Sequence, residues 1–462
     1  MRQNGTGKQK EWLLEGPIWK GLLYFALPIF LGQIFQQLYN TADAFIVGRF
    51  LSDYEYAAVT STGSLVFMLV GFFGGISVGA GVVIARYYGA RDIDSLRRSI
   101  HTTVIFGVAA GVIMTVLGVT LTPLLLDWMD TPWQLKPYSK QYFQMYFLGG
   151  IAICMYNLCM GVLRAVGDSK HPLYYLVFSS LLNVGLDYLF IGVCGWGVWS
   201  AALATTISQF VSMFLCLYRL FHYPTEYQLR WKEMRVSWPY LWEIVRYGLP
   251  SGIQNSIISF ANVIVQTNIN GFGPETVAGC GTYAKLEGFA FLPITCFTMA
   301  LTTFVGQNLG AKQFERTKKG TRFGIFCAMI MAELIGVLLV VFAKPLMEIF
   351  MPDNPDAVLV GIKQSQVESL FFCFLAFSHC IAAIMRGAGR PMVPMLVMMG
   401  CWCVLRVAFI SIMVPLVNES WVVFMAYPLT WTASSILYLI FYLKSDWVHT
   451  FARRERAKRE ET

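Results

Sequence analysis

The chain has little charge for its length. Only 13% of its 462 residues are Asp, Glu, Lys or Arg, and 56% are hydrophobic, whereas soluble globular domains carry about 25% charged residues. It contains neither a G-x-x-x-x-G-K-[ST] phosphate loop nor an H-E-x-x-H zinc motif. None of its 11 cysteines forms a C-x-x-C pair. These absences argue against ATP use and against a disulfide framework or a cysteine metal site, and the composition predicts an integral membrane protein.

Apolar runs long enough to cross a bilayer, which needs about 20 residues, occur twelve times. We therefore predict an all-α membrane protein with twelve transmembrane helices. In the first half the predicted spans are 20–48, 56–85, 99–123, 141–163, 173–193 and 197–221. In the second half they are 241–271, 277–308, 323–343, 366–385, 391–416 and 421–443.

Basic residues predict the orientation. Of the 35 Lys and Arg residues, 28 lie in the N-terminus, in the tail, and in the loops that follow spans 2, 4, 6, 8 and 10. The loops on the opposite side of the membrane hold only five. By the positive-inside rule both termini then face the cytoplasm. This distribution also accounts for the net charge of +8 without a nucleic-acid partner.

The two halves of the chain repeat each other. Landmarks recur 222 residues apart, and six spans in each half make the two copies parallel rather than inverted. The lobes are predicted at 17–222 and 239–445, with a cytoplasmic linker at 223–238 and a basic cytoplasmic tail at 446–462. The recurring landmarks are Pro28 and Pro250, Asn40 and Asn262, and Arg164-Ala-Val-Gly167 and Arg386-Gly-Ala-Gly389.

Polar side chains form a stripe on the first helix of each half. In span 1 the spacing of 3, 4 and 3 places four of them on one face, and span 7 has a matching set. Both stripes could line an aqueous cleft or form hydrogen bonds between helices, and the pattern leaves these alternatives open. The stripes are Gln33, Gln36, Asn40 and Asp43, and Asn255, Ser259, Asn262 and Gln266.

Two carboxyl groups within the N-terminal spans are the main candidates for function. Asp43 lies in span 1 and Asp187 in span 5, where Asn183 is one helical turn away from Asp187. A carboxylate near the bilayer centre costs about 2.5–3.5 kcal/mol on insertion scales, so both should face the protein interior or water. Together with a hydroxyl from Thr205 or Thr206 of span 6 they offer the oxygen ligands that Na⁺ prefers, and the carboxyl groups can also carry protons.

The second half does not copy this set. The positions equivalent to Asp43, Asn183 and Asp187 are Val265, Leu405 and Phe409. It has intramembrane charges of its own, of which Glu287 suits attraction of a cationic compound. For Glu333 and Arg406 we favour compensating contacts with other spans, and for His379 the role of a satisfied core histidine. Lys285 and Glu287 lie too far apart around their helix to pair simply.

The chain resembles the multidrug and toxic compound extrusion (MATE) family, bacterial type, over residues 17–445. The resemblance depends on motifs in span 1, in the loops after spans 2 and 4, and in their second-half echoes. They are Pro28, Gln36, Asn40, Asp43 and Val47-Gly48; Ala85-Arg86-Tyr87-Tyr88-Gly89-Ala90; Arg164, Gly167-Asp168 and Pro172; Gly306-Gln307-Asn308-Leu309-Gly310-Ala311; and Arg386, Gly389 and Pro394.

Several expectations follow from this resemblance. Two six-helix lobes should flank a V-shaped cleft, and organic cations should leave the cell in exchange for H⁺ or Na⁺, without ATP or a further cofactor. By position, Asp43, Asn183, Asp187 and Thr205 look like the coupling-cation site, with Asp43 and Asp187 as the Na⁺ ligands if Na⁺ is used. Gln36, Asn40, Asn262 and Glu287 are assigned to the substrate cleft.

Two other functions were weighed against an antiporter in the bacterial plasma membrane. A lipid-linked oligosaccharide flippase of the same superfamily should line its cleft with several basic residues, but apart from Lys20, Arg219 and Arg246 near the cytoplasmic ends, only Lys285 and Arg406 lie within the predicted spans. An intramembrane hydrolase built on Gly75-Ile-Ser77-Val-Gly79 lacks a plausible base. The glycines of that motif better suit close helix packing, and we expect no enzyme activity.

Overall fold

The computed structural model describes residues 12–128 and 131–453, and in this part of the chain the regular structure is helical throughout. Apolar runs become helices because a backbone crossing lipid must satisfy its own hydrogen bonds. The helices of the first half are α1 (Ile18–Phe50), α2 (Asp53–Gly89), α3 (Ile93–Trp128), α4 (Lys136–Leu148), α5 (Gly150–Ala165), α6 (Lys170–Asp187) and α7 (Trp199–His222).

The second half begins after a short 3₁₀ turn at Trp231–Glu233. Its helices are α8 (Trp238–Asn270), α9 (Pro274–Gly310), α10 (Phe314–Val341), α11 (Ala343–Phe350), α12 (Pro355–Glu368), α13 (Phe372–Gly387), α14 (Met392–Met398), α15 (Arg406–Val417) and α16 (Ser420–Lys444).

Ten helical segments of the described chain are long and apolar enough to span a membrane, and α4 with α5 makes an eleventh, bent by 48°. The helix α8 has the length of a span, 33 residues, but carries the polar stripe of the second half. The architecture thus agrees with the predicted all-α membrane fold and is consistent with twelve spans.

Four predicted spans are not single α-helices. Span 4 breaks between α4 and α5 at Gly149, and span 10 breaks between α12 and α13 at a 3₁₀ turn, Ser369–Phe371. Span 5 ends in a π-helical segment, Tyr188–Val193, and span 11 has one at Met399–Leu405. The π-segment of span 5 starts directly after Asp187. The backbone therefore changes from α-helical to π-helical hydrogen bonding at a predicted site residue.

The internal repeat is visible in the backbone at the helix ends. Arg91 and Lys312 follow α2 and α9, and both adopt positive φ, 55° and 58°. Gly167 and Gly389 follow α5 and α13 with φ of 88° and 74°. A left-handed residue after a helix satisfies the last carbonyl groups, and its recurrence at equivalent positions shows that the two halves turn in the same way.

The two halves contact each other mainly through α2 and α8. Glycines allow their backbones to touch, because a Cβ at Gly75 or Gly79 would collide with the backbone of Gly252 or Gly248. Near the loop side of the same interface, Arg86 forms a 2.8 Å ion pair with Glu243, and the Tyr87 hydroxyl donates to the same carboxylate at 3.0 Å. The halves are therefore closed together on the side that the basic loops predict to be cytoplasmic.

The turn between α5 and α6 is held by Asp168, which is 5% exposed. Its carboxylate lies 2.9 Å from the Arg219 guanidinium and 2.9 Å from a ring nitrogen of His171. Burial alone would raise the pKa of Asp168, but hydrogen bonding to His171 and the charges of His171 and Arg219 lower it below its ordinary value. The turn thus depends on an ionised carboxylate.

The start of the predicted tail packs onto the bundle. Trp447, Val448 and Phe451 are buried, and the Phe451 ring lies 5.1 Å from the Arg86 guanidinium. The rest of the predicted basic tail, 454–462, lies outside the described residues.

We expect Gly79→Ala to lower the midpoint of thermal unfolding, because the added methyl group forces α2 and α8 apart. Overpacking of this kind costs about 1–3 kcal/mol. Gly74→Ala on the same helix is the matched control, since a Cβ there meets nothing within 4 Å. Equal midpoints for the two purified variants would contradict the proposed helix contact.

Candidate functional site

Two of the predicted site residues meet inside the first half. Asp43 of α1 and Asp187 of α6 lie close enough to share a hydrogen bond when one of them is protonated. Asp187 is fully buried, and Asn183, one turn earlier on α6, is 3% exposed. Residues that are far apart in the sequence thus form one carboxyl pair.

The carboxyl pair has no counter-charge among the described residues. Both side-chain oxygens of Asp187 and Oδ1 of Asp43 are buried without a hydrogen-bond partner there. Two ionised carboxylates at such close range repel each other strongly in a medium of low dielectric constant. The arrangement is therefore stable only when a proton or a cation lies between them.

Amide and hydroxyl oxygens complete the site. The Asn183 amide donates to the Thr205 hydroxyl of α7 at 3.4 Å, and the Oδ1 of Asn183 has no partner in the described chain. Within residues 12–128 and 131–453, no group of three or more His, Cys, Asp or Glu side chains gathers as a metal site. A sodium ion here would need neutral oxygens such as that of Asn183 beside the two carboxylates.

A polar cavity of about 220 Å³ reaches the Asn183 and Thr205 side chains. Gln36 and Tyr39 of α1 line the same cavity. Ions or water could reach the Asn183 end of the site by this path.

Tyrosines near the carboxyl pair were missed by the sequence analysis. Tyr39 and Tyr142 both lie close enough to Asp43 and Asp187 to interact with their charges. Tyr39 precedes Asp43 by one helical turn, so helical spacing alone could have placed it on this face. Tyr142 comes from α4, and nothing in its local sequence indicates the contact.

The predicted cleft residues do not form one group. Gln36 faces the 220 Å³ cavity, whereas Asn40 is an exposed residue of α1. Asn262 accepts a hydrogen bond from the Arg406 guanidinium at 3.4 Å, and Glu287 lies within the electrostatic range of the same arginine. The charge of Glu287 is thus partly balanced from inside its own lobe.

Arg406 is the centre of a buried network in the second half. It is 1% exposed, donates to Thr430 at 3.1 Å and lies 4.4 Å from the ring of Tyr427. Glu368, fully buried, interacts with both Arg406 and Glu287 and accepts a 2.8 Å hydrogen bond from Gln364. These contacts agree with the compensating role that we expected of Arg406.

Glu333, His379 and Ser77 have structural partners or apolar surroundings. Glu333 accepts a 2.9 Å hydrogen bond from the backbone nitrogen of Cys373, the second residue of α13. His379 lies between the rings of Phe291 and Trp402, although its Nε2 has no hydrogen-bond partner in the described chain. Ser77 donates to the Asn157 carbonyl at 2.8 Å, a contact between helices that gives no sign of a nucleophile.

Two arginines lie elsewhere than the sequence analysis placed them. Arg164 and Arg386 were counted as cytoplasmic loop residues, but they belong to the last turns of α5 and α13. Both line a cavity between the two lobes. Basic residues at the ends of apolar runs look like loop residues, which explains the error.

A bundle of this size with an internal repeat, a carboxyl pair inside one lobe and two contacting lobes is typical of a secondary transporter. The profile of the MatE family matches residues 28–189 and 250–412, two segments whose starts are 222 residues apart. The chain therefore belongs to the MATE family of multi-pass membrane transporters. This agrees with the resemblance and with the duplication found in the sequence.

Individual relatives support the same assignment. "Probable multidrug resistance protein YpnP" of Bacillus subtilis (strain 168) is 27% identical over 404 residues, covering 86% of this chain and 89% of that protein. "Probable multidrug resistance protein NorM" of Thermotoga maritima is 28% identical over 407 residues, covering 85% of each. A solved outward-facing multidrug resistance MATE transporter superposes with a TM-score of 0.88 at 23% identity, covering 95% of this chain and 98% of that one.

We expect Asp187→Asn to remove the dependence of stability on Na⁺ and the part of its pH dependence that comes from the carboxyl pair. In the wild type, a bound cation relieves the repulsion between Asp43 and Asp187, and a ligand at 100 times its Kd stabilises by about 2.7 kcal/mol. The measurement is the unfolding midpoint of purified protein in Na⁺ against choline, at several pH values. Asp353→Asn, at an exposed position, is the control and should respond like the wild type; a response of Asp187→Asn as large as theirs contradicts the shared-cation site.

Proposed function

We propose that this chain is a secondary active multidrug exporter of the bacterial plasma membrane, with both termini in the cytoplasm. It exports organic, mainly cationic compounds in antiport with H⁺ or Na⁺. The observation that carries the proposal is the buried pair of Asp43 and Asp187, whose unpartnered oxygens require a proton or cation. A lobe built only for stability would gain nothing from such a pair.

The contact between the lobes supports alternating access. The α2–α8 contact and the Arg86–Glu243 ion pair close the side predicted to be cytoplasmic, so this arrangement corresponds to an outward-facing state. Export then requires that the cation and the drug bind preferentially to different conformations, one to the inward-facing and the other to the outward-facing state. A ligand with equal affinity for both states shifts no population. Since Asp43 and Asp187 belong to different helices, a relative movement of α1 and α6 would change the affinity of the pair.

The names of relatives favour drugs as the exported compounds. The Bacillus and Thermotoga proteins carry multidrug resistance names, but a Shewanella oneidensis relative, 24% identical over 353 residues, is named an FAD transporter. The names of similar proteins thus indicate chemically different transported compounds. None of these relatives is named a flippase, and the comparisons therefore favour drug export over the flippase alternative.

The role of Asp43 is tested by efflux of a fluorescent dye from cells. Asp43→Asn should abolish efflux, because Asn cannot exchange a proton and binds Na⁺ poorly, while membrane abundance on an immunoblot stays near wild type. Asp353→Asn is expected to export dye normally. Undiminished efflux by Asp43→Asn would remove this residue from the coupling step.

A further inference from the structure

A second cavity, lined by both polar and apolar residues, lies between the lobes, separate from the carboxyl pair. Its volume is about 320 Å³, and α2 and α5 of the first half and α8, α9 and α13 of the second all contribute to its walls. Arg164 enters from one lobe and Arg386 from the other. The cavity therefore lies where the two halves meet, on the path that a substrate must take between them.

Neither arginine is paired with an acid in the described chain. The Arg164 guanidinium contacts only the sulfur atoms of Met299, at 3.5 Å, and Met160, at 3.8 Å, and its Nε is buried without a partner. The groups that interact electrostatically with Arg164 and Arg386 are tyrosines, cysteines and, for Arg386, His379, with no carboxylate of the described residues among them. Two guanidinium groups thus line one cavity, and no acidic side chain of the described residues pairs with them.

Most of the other polar side chains of the cavity already donate a hydrogen bond to a backbone carbonyl group. Ser77, Asn157 and Thr302 donate to the backbone carbonyls of Asn157, Ile153 and Thr298, and Asn255 donates to that of Gly71 at 3.0 Å. The guanidinium groups are therefore the charged donors available to a ligand. A buried charge without a partner is costly, and the planar fork of arginine matches the two oxygens of a carboxylate or phosphate.

The internal repeat explains why the two arginines converge. Arg164 and Arg386 occupy equivalent positions, each three residues before a glycine with positive φ, Gly167 or Gly389. The same helix ending places both side chains on the interface between the lobes. Both halves thus carry an arginine at this position, whereas Asp43 and Asp187 have no acidic equivalents in the second half.

We propose that this cavity binds an anionic group of the transported compound, a carboxylate or phosphate, between Arg164 and Arg386. The adjoining 220 Å³ cavity shares Asn157, Arg164 and Met299 with it, so a zwitterion can place its two charges in neighbouring chambers. This inference depends on one part of the proposed function, namely that a transported compound binds between the lobes.

Binding of two dyes to the purified protein tests this site without any ion gradient. Rhodamine 110 has a free carboxylate, and rhodamine 123 is its methyl ester with the same ring system. By fluorescence anisotropy, the wild type should bind rhodamine 110 about tenfold or more tightly than the ester, given the usual strength of charged hydrogen bonds. In Arg164→Gln/Arg386→Gln this preference should fall to about one, with affinity for the ester retained.

Lys319→Gln/Arg322→Gln, two exposed changes on α10 that together remove the same charge as the double variant, should keep the wild-type preference. A competition binding experiment on the wild-type protein does not depend on whether a variant folds. In it, benzoate should displace bound rhodamine 110, and benzamide should not. Equal affinities for the two dyes in the wild type, an unchanged preference in the double variant, or no displacement by benzoate would each overturn the proposal. Because these measurements need no transport, a failure of antiport leaves their result intact.

Discussion

The mutual repulsion of two carboxyl groups is the constraint on which the site depends. Asp43 and Asp187 come from different helices, are withdrawn from water and have no basic neighbour in the described chain. A buried acid of this kind is usually neutralised by arginine or lysine, as Asp168 is by Arg219. We propose that leaving the pair uncompensated makes the packing of α1 against α6 sensitive to a small cation, as the proposed antiport requires.

The duplicated chain uses its two halves differently. At the helix ends the copies are alike, with left-handed residues at Arg91 and Lys312 and at Gly167 and Gly389. Inside the membrane they diverge: the first half holds an uncompensated acid pair, and the second holds an acid–arginine network around Arg406. Fold symmetry therefore survives where it shapes the backbone, and chemical symmetry has been lost where cation binding is proposed.

Most of the fold could be predicted from apolar length, loop charge and the 222-residue repeat, since these are properties of the bilayer and of duplication. Spacing within a helix also placed Asn183 beside Asp187. Spacing could not show that α1 and α6 bring Asp43 to Asp187, that Tyr142 of α4 joins them, or that span 4 bends at Gly149, because these depend on packing between helices. For the same reason Arg164 and Arg386 were taken for loop residues, although they line a cavity between the lobes.

The central claim is that one cation occupies the carboxyl pair and is lost when substrate is bound. It is tested most directly by measuring cation release when a transported dye is added to purified, detergent-solubilised protein, with a pH indicator for H⁺ and a sodium electrode for Na⁺. The account predicts a stoichiometric release of one of these ions from the wild type and none from Asp43→Asn. Saturable dye binding to the wild type with no release of either ion would contradict it.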